Sequence, residues 1–456
     1  MASRPSDAPT DANMQSLLRT GPESTLNART ETPVELKGDL SVTTPLFPPP
    51  ELADDVVSAL AGWDRFATMA IHIDIRTDIR TDIRIDQADP AAEEHDLNDA
   101  IETCLASMAR NEETIWTRWD RALYGCAVKG ADAESADRLA RQIQEELAEK
   151  HLDTVSIGIS EFPLHNYDRE TTLRNACKAL DHAAFFGPGS TVRFDAVSLN
   201  ISGDHAYQDG RMQAAIDEYR AALRLNEKDV NVHNSLGVCL AQTGEVEAAR
   251  TCFETSLSID PEEAMAAYNL GVLSLLEQKK QDAMRHFQTA YAADDHIFDI
   301  PFQIGKLLTE ETNFEEALGY LESAVLLCQT SAPAYSCLGQ CLKELGRDRE
   351  AINAYKRAVK INPNDAAALS TLATLYDARG ENPEICLTFG RQSVDLAPEN
   401  GEFRMRLADL LQKYNLLDQA LSEYESAAEL GQASGHQIAE IQARLEANEE
   451  KKKRCA

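Results

Sequence analysis

The sequence predicts a mixed α+β domain followed by an all-α repeat solenoid. Strand-length apolar runs alternate with helical patterns between residues 51 and 195. From Gly203 onward a small residue returns every 34 positions in a helical context. Alanine is abundant and aromatic residues make up only 6% of the chain, which favours closely packed helices over a β-sandwich.

The 456 residues leave room for two or three domains. Residues 1–50 carry eight of the seventeen prolines among many Ser, Thr, Asp and Glu, ending in Phe47-Pro48-Pro49-Pro50. Such a segment cannot bury enough apolar surface to offset its ordering entropy, so a disordered leader is expected. A proline-rich docking motif is the alternative reading.

Within residues 51–195, strands are expected at Ala67–Ile75, Thr114–Trp119, Leu123–Val128, Thr154–Phe162 and Thr191–Phe194. Helices are expected at Leu97–Met108, Ala133–Leu147 and Thr171–Phe185. The run from Asp74 to Arg84 repeats a four-residue Asp-Ile-Arg-Thr unit that presents no consistent buried face. It is read as a solvated loop or strand extension, with a basic docking patch as the alternative.

Residues 196–434 are read as seven helical hairpins. The small column runs Gly203, Gly237, Gly271, Gly305, Gly339, Ala373 and Ala408. Twelve residues after each comes Ala215, Ala249, Ala283, Ala317, Ala351 or Ala420, with Cys386 as the exception. Four further on stands Tyr219, Phe253, Phe287, Leu321, Tyr355 or Tyr424, and three beyond that another small residue. Small residues let two antiparallel helices approach, and the large side chain fills the space beside them. Pro261, Pro363 and Pro398 close three units. The sixth unit carries an insertion near Glu381–Pro383 and has Gly390 at the large position, so it is expected to be loose. The polar stretch from Gly435 reads as a capping helix and basic tail, residues 435–456.

These columns resemble the tetratricopeptide repeat (TPR) family. The resemblance implies a solenoid whose concave groove binds a protein or peptide. Carried onto this sequence, the groove positions are Asn231, Asn234, Tyr268, Val272, Leu275, Phe302, Lys306, Gln340 and Lys343, with an apolar centre at Tyr268, Val272, Leu275 and Phe302. Asn200 with Asp204 does not provide the lysine and asparagine clamp of the family members that hold acidic C-terminal tails, so the expected ligand is a segment with apolar anchors.

Thr154–Pro163 is similar to a strand of the diguanylate cyclase (GGDEF) family, and Ala176–Ala183 to that family's next helix; Gly130 and Asp132–Leu147 fit the preceding one. The resemblance implies a cyclase-like, palm-like mixed sheet with helices. The signature turn falls on Asp120-Arg121-Ala122-Leu123-Tyr124, where both glycines and the acidic pair are missing. Asp74 occupies the other metal position, and the inhibitory Arg-x-x-Asp motif, which would begin at Asn111, is absent. Two-metal phosphoryl chemistry needs carboxylates to hold the ions. A degenerate domain without catalytic residues, metal or cofactor is therefore expected. The alternatives are a receptor for GTP or cyclic di-GMP and an active cyclase.

The net charge of −32 opposes binding to nucleic acid or anionic lipid. No apolar run reaches about 18 residues, so no membrane span is expected. The N-terminus lacks the apolar core of a secretory signal, and ten cysteines without framework spacing suit reduced thiols in a cytoplasm. Cys337 and Cys341 lie one helical turn apart, but Cys341 shares its column with Cys239, so packing is favoured over a metal site.

Overall fold

The computed structural model describes residues 18, 58–74, 90–109, 114–149, 154–165, 167–380 and 382–455. The leader other than Leu18, the four-residue repeat beyond Asp74, Asn111, Glu381 and the side chains of Lys451–Arg454 lie outside the described residues. The chain divides into two compact units, Met1–Asn269 and Leu270–Ala456.

The first unit opens with a five-stranded sheet: β1 (Phe66–Asp74), β2 (Thr114–Arg118), β3 (Leu123–Lys129), β4 (Thr154–Phe162) and β5 (Thr191–Arg193). The spatial order is β2-β3-β1-β4-β5; every pair is antiparallel except β4 with β5. Three helices accompany it: α1 (Pro90–Met108), α2 (Ala133–Ala148) and α3 (Thr172–Ala183). Each expected strand and helix is present; the ends differ by one or two residues, more at the start of α1.

Both faces of the sheet are covered. Met69, Ile71 and Ile73 alternate along β1 and pack with Ile101, Leu105, Ile143 and Leu147 of α1 and α2. The intervening Phe66 and Ala70 face Leu173, Ala176 and Leu180 of α3. This two-sided burial follows from the period of two along a strand. Helix α3 lies so close to β4 that a methyl group on Gly158 would stand 2.0 Å from the Ala176 carbonyl oxygen.

Helices then follow in pairs. In the first unit these are α4 (Ala196–Gln208) with α5 (Met212–Leu225), and α6 (Val230–Gln242) with α7 (Val246–Ile259). Helix α8 (Ala264–Leu276) crosses the unit boundary and begins the third pair, with α9 (Lys280–Ala293). The second unit continues with α10 (Asp299–Glu310) and α11 (Phe314–Leu327), then α12 (Ala332–Glu344) and α13 (Asp348–Ile361). The last pairs are α14 (Ala366–Ala378) with α15 (Pro383–Leu396), and α16 (Gly401–Lys413) with α17 (Leu417–Glu429). Helix α18 (Gly435–Cys455) closes the chain, with Ile441 buried against the last pair.

Each column glycine sits where its pair crosses. A methyl group on Gly203, Gly237 or Gly271 would stand 2.5 Å from the ring of Tyr219, Phe253 or Phe287. Leu321 and Tyr355 stand equally close over Gly305 and Gly339, at 2.7 and 2.8 Å. The sixth pair is not loose at its centre. Ala373 and Cys386 are buried there, and Phe389 stacks on Tyr376 with ring centroids 5.8 Å apart. Gly390 instead receives Leu407 of the next helix.

A second column was not anticipated from the sequence. Gly210, Gly244, Gln278, Thr312, Gly346, Gly380 and Asn415 all have positive φ, between 62° and 90°. Each ends the first helix of its pair. At Thr312 the amide donates to the Thr309 carbonyl (3.1 Å) and the Asn313 amide to Leu308 (2.8 Å), which closes the helix end. A β-branched residue pays about 1–2 kcal/mol for this conformation and glycine almost none. Thr312→Gly is therefore expected to stabilise the repeats by about 1 kcal/mol, after the greater chain entropy of glycine is subtracted. A rise in the urea midpoint followed by far-UV circular dichroism checks it.

Candidate functional site

The first helix of each pair carries the positions expected to form a groove. Asn231 and Gln340 are exposed, and Leu275, Phe302, Lys306 and Lys343 are half-buried. The Phe302 ring stacks on Phe298 at 5.5 Å, and Lys343 Nζ pairs with Glu344 at 2.8 Å. Asn234 is buried, its Oδ1 accepting a hydrogen bond from Asn269 Nδ2 at 2.8 Å.

Tyr268 and Val272 are both 0% exposed, so the apolar centre expected there offers no free surface. The reason lies in α8 as a whole: every residue from Ala264 to Ser274 is buried. A helix that is apolar around its whole circumference is enclosed on all sides. The signal was present in the sequence, because Ala264–Leu276 contains only Asn269 and Ser274 as distinctly polar positions beside the Tyr268 hydroxyl. Of the four expected apolar residues, Leu275 and Phe302 retain some exposure.

In the α+β domain the hairpin between β2 and β3 turns at Trp119–Ala122. The Trp119 and Asp120 amides both donate to the Leu123 carbonyl, at 2.8 and 3.3 Å. Arg118 clamps the turn by donating to the Asp120 and Arg121 carbonyls. Leu123 and Tyr124 are buried, and the Tyr124 hydroxyl donates to Asn98 Oδ1 at 2.5 Å. Burial and the adjacent Glu102 carboxylate push that phenol up to about 12, against the opposing pull of Arg118. The hairpin is thus closed by apolar and aromatic packing.

Asp74, at the end of β1, is also committed. Its Oδ2 accepts from Thr154 Oγ1 (3.1 Å), Ser156 Oγ (2.9 Å) and the Gly189 amide (2.7 Å). One carboxylate oxygen thereby ties β1, β4 and the loop before β5 together.

Where the domain meets the first helical pair, Lys178 Nζ contacts both carboxylate oxygens of Glu218 at 2.7 Å. Buried His182 places Nδ1 3.3 Å from Ser198 Oγ and 3.5 Å from the Asp195 carboxylate. Phe185 and Phe186, 60% and 69% exposed, follow directly on α3. Sequence reasoning ended the helix at Phe185 and missed both as surface.

Several thiols are shielded. Burial pushes Cys239 up to about 12, and Cys252, Cys337 and Cys341 up to about 11, far from the reactive range. Cys341 donates its Sγ hydrogen to the Phe314 carbonyl at 3.0 Å, a packing role. Among the described residues Asp294, Asp295 and His296 form a surface cluster, in which His296 Nδ1 faces both carboxylates.

The family model described as tetratricopeptide repeat matches residues 332–365, and a second of the same description matches 202–261 and 244–296. No curated protein matches the chain. Similar solved structures include YrrB, described as a TPR protein with an unusual peptide-binding site. It is 23% identical, covers 40% of this chain and 92% of its own, and has a TM-score of 0.37. PilF of Pseudomonas aeruginosa is 21% identical over 50% of this chain and 99% of its own, with a TM-score of 0.40. The C-terminal part of a TPR repeat-containing protein from Cytophaga hutchinsonii is 16% identical over 52% and 97%, also at 0.40. Among the described residues, no helix is long and apolar enough to cross a membrane.

Asp74→Ala removes the shared acceptor from three partly buried donors, each a hydrogen bond to a charged group. The α+β domain should lose about 2 kcal/mol of stability. All three tryptophans, Trp63, Trp116 and Trp119, lie in that domain, so urea unfolding followed by tryptophan fluorescence reads it directly.

Proposed function

We propose, from the premise that this chain is a tetratricopeptide-repeat protein, that it is a protein-interaction scaffold or adaptor whose repeats hold a partner on their first-helix face. The observation that carries this reading is the open part of that face on α10 and α12. There Phe302, Lys306, Gln340 and Lys343 keep exposed surface, while the large side chains of the second helices, such as Leu321, are sealed inside the pairs. An accessible stripe of amide, ammonium and aromatic groups on a rigid helical frame suits a peptide segment with an apolar anchor and polar flanks.

Lys306→Glu with Gln340→Glu in the full chain should cut retention of its partners at least tenfold, about 1.4 kcal/mol. Surface changes of this kind leave stability within about 0.5 kcal/mol. Affinity capture from the native cell with quantitative mass spectrometry reads the loss. Undiminished capture overturns the assignment.

We read the α+β domain as a GGDEF-like fold that has lost its catalytic groups, in a signalling or assembly role. Ala122 and Leu123 stand at the acidic pair, and Asp74 serves as a structural acceptor for three donors. With no carboxylates to hold two metal ions, phosphoryl transfer loses its charge stabilisation. The purified chain, incubated with GTP and magnesium, should form no cyclic di-GMP by chromatography. Turnover that Asp74→Asn abolishes would refute this. Retention of labelled GTP or cyclic di-GMP without turnover would favour the receptor alternative.

A further inference from the structure

β5 is the last strand of the sheet, bonded on one side only. Its bonds to β4 come from alternate residues. The Ile157 amide donates to the Ser190 carbonyl at 2.8 Å, and the Phe194 amide to the Ile159 carbonyl at 2.7 Å. Alternation along a strand then turns the amides and carbonyls of Thr191 and Arg193 outward. No partner for these outward groups is found among the described residues. Strand edges are usually guarded by a charge, a proline or a covering element. The one charge on β5, Arg193, is instead drawn back onto Asp137 of α2, its Nε donating at 2.7 Å. Val192 pairs with Gly158, so it lies on the face that α3 covers. There Val192, His182 and Phe186 bound an open cavity of about 490 Å³. Phe186 and its neighbour Phe185 form a bare aromatic patch beside the free edge, the kind of surface that marks an interface.

We propose that β5 pairs with β5 of a second copy of this chain, antiparallel about a two-fold axis at Val192, joining the two sheets into one. The outward groups suit that occupant because they are self-complementary. Thr191 of one copy meets Arg193 of the other, and the reverse, which gives four backbone hydrogen bonds. Val192 meets its own counterpart in the non-hydrogen-bonded pair, where side chains stand closest, and the two Phe186 rings flank it in the cavity. Charge agrees with this register. Each Arg193 stands opposite an uncharged threonine and is already balanced by Asp137, so no like charges lie directly opposite one another, although the whole chain carries −32. A three-residue strand with its flanking rings is small beside the roughly 1,200 Å² of the smaller stable interfaces, so the pairing is reversible in the micromolar range. The proposal is independent of the partner reading of the helical face.

Sedimentation equilibrium of the full chain across the micromolar range should show a monomer–dimer equilibrium. Thr191→Pro removes an outward N–H without touching the β4 ladder. Two of the four bonds go with it, so association should weaken about tenfold. Phe186→Asp, a change at an exposed ring, should weaken it as well. Tryptophan fluorescence in urea checks that the sheet domain of each variant stays folded. Val192→Cys, gently oxidised, should form a disulfide between copies, read by mass spectrometry as a peptide linked from 192 to 192. A chain that is monomeric at every concentration overturns the proposal. So does a dimer that neither folded variant weakens, or a Val192→Cys chain without the 192–192 link.

Discussion

In the first five helical pairs the packing depends on the contact between a column glycine and the side chain sixteen residues later. With a glycine at 237, the Phe253 ring can lie against the α6 backbone itself, where any β-carbon would intrude. The ring is then completely enclosed, as are Tyr219, Phe287 and Leu321 in their pairs. Because a single pair can bury this contact but not its outer flanks, the flanks must be covered by the next pair. The array is thus a consequence of local steric fit repeated, with no long-range contact needed to specify it.

The sixth pair shows what the constraint permits. Ala373 replaces the glycine, and the large residue at 390 has become glycine. The space beside Gly390 is taken by Leu407 of the next helix. The aromatic contribution moves one residue, to Phe389, and finds Tyr376. Reading Gly390 as a defect overlooked the side chain that the next helix supplies there.

What could be read from the sequence follows the same logic. The 34-residue column and the alternation in β1 and β4 were legible because packing constrains residue size at those positions. The positive-φ column was hidden because it constrains backbone conformation, and Gln278, Thr312 and Asn415 satisfy it without being glycine. The groove was read by transferring a family register, which specifies where a side chain points but not what lies over it. Asn231 and Gln340 are exposed as that register implies, while Tyr268 and Val272 are sealed. Composition was the better guide there, since α8 has no polar stripe to turn toward water.

The hairpin between β2 and β3 of the α+β domain is likewise built on packing. A turn built to admit a nucleotide needs glycines for close backbone approach and carboxylates facing solvent. Here the space beside the hairpin is taken by Trp119, whose ring stands over Gly125, 2.0 Å from where a methyl group would sit. Leu123 joins the same core, and Tyr124 spends its hydroxyl on Asn98. Asp74, at the end of β1, accepts three structural hydrogen bonds, so presenting it to an ion would mean giving up the junction between β1, β4 and the loop before β5. On the GGDEF-like reading proposed above, a carboxylate placed at Ala122 would therefore not by itself make a metal site, because Asp74 is already part of the fold.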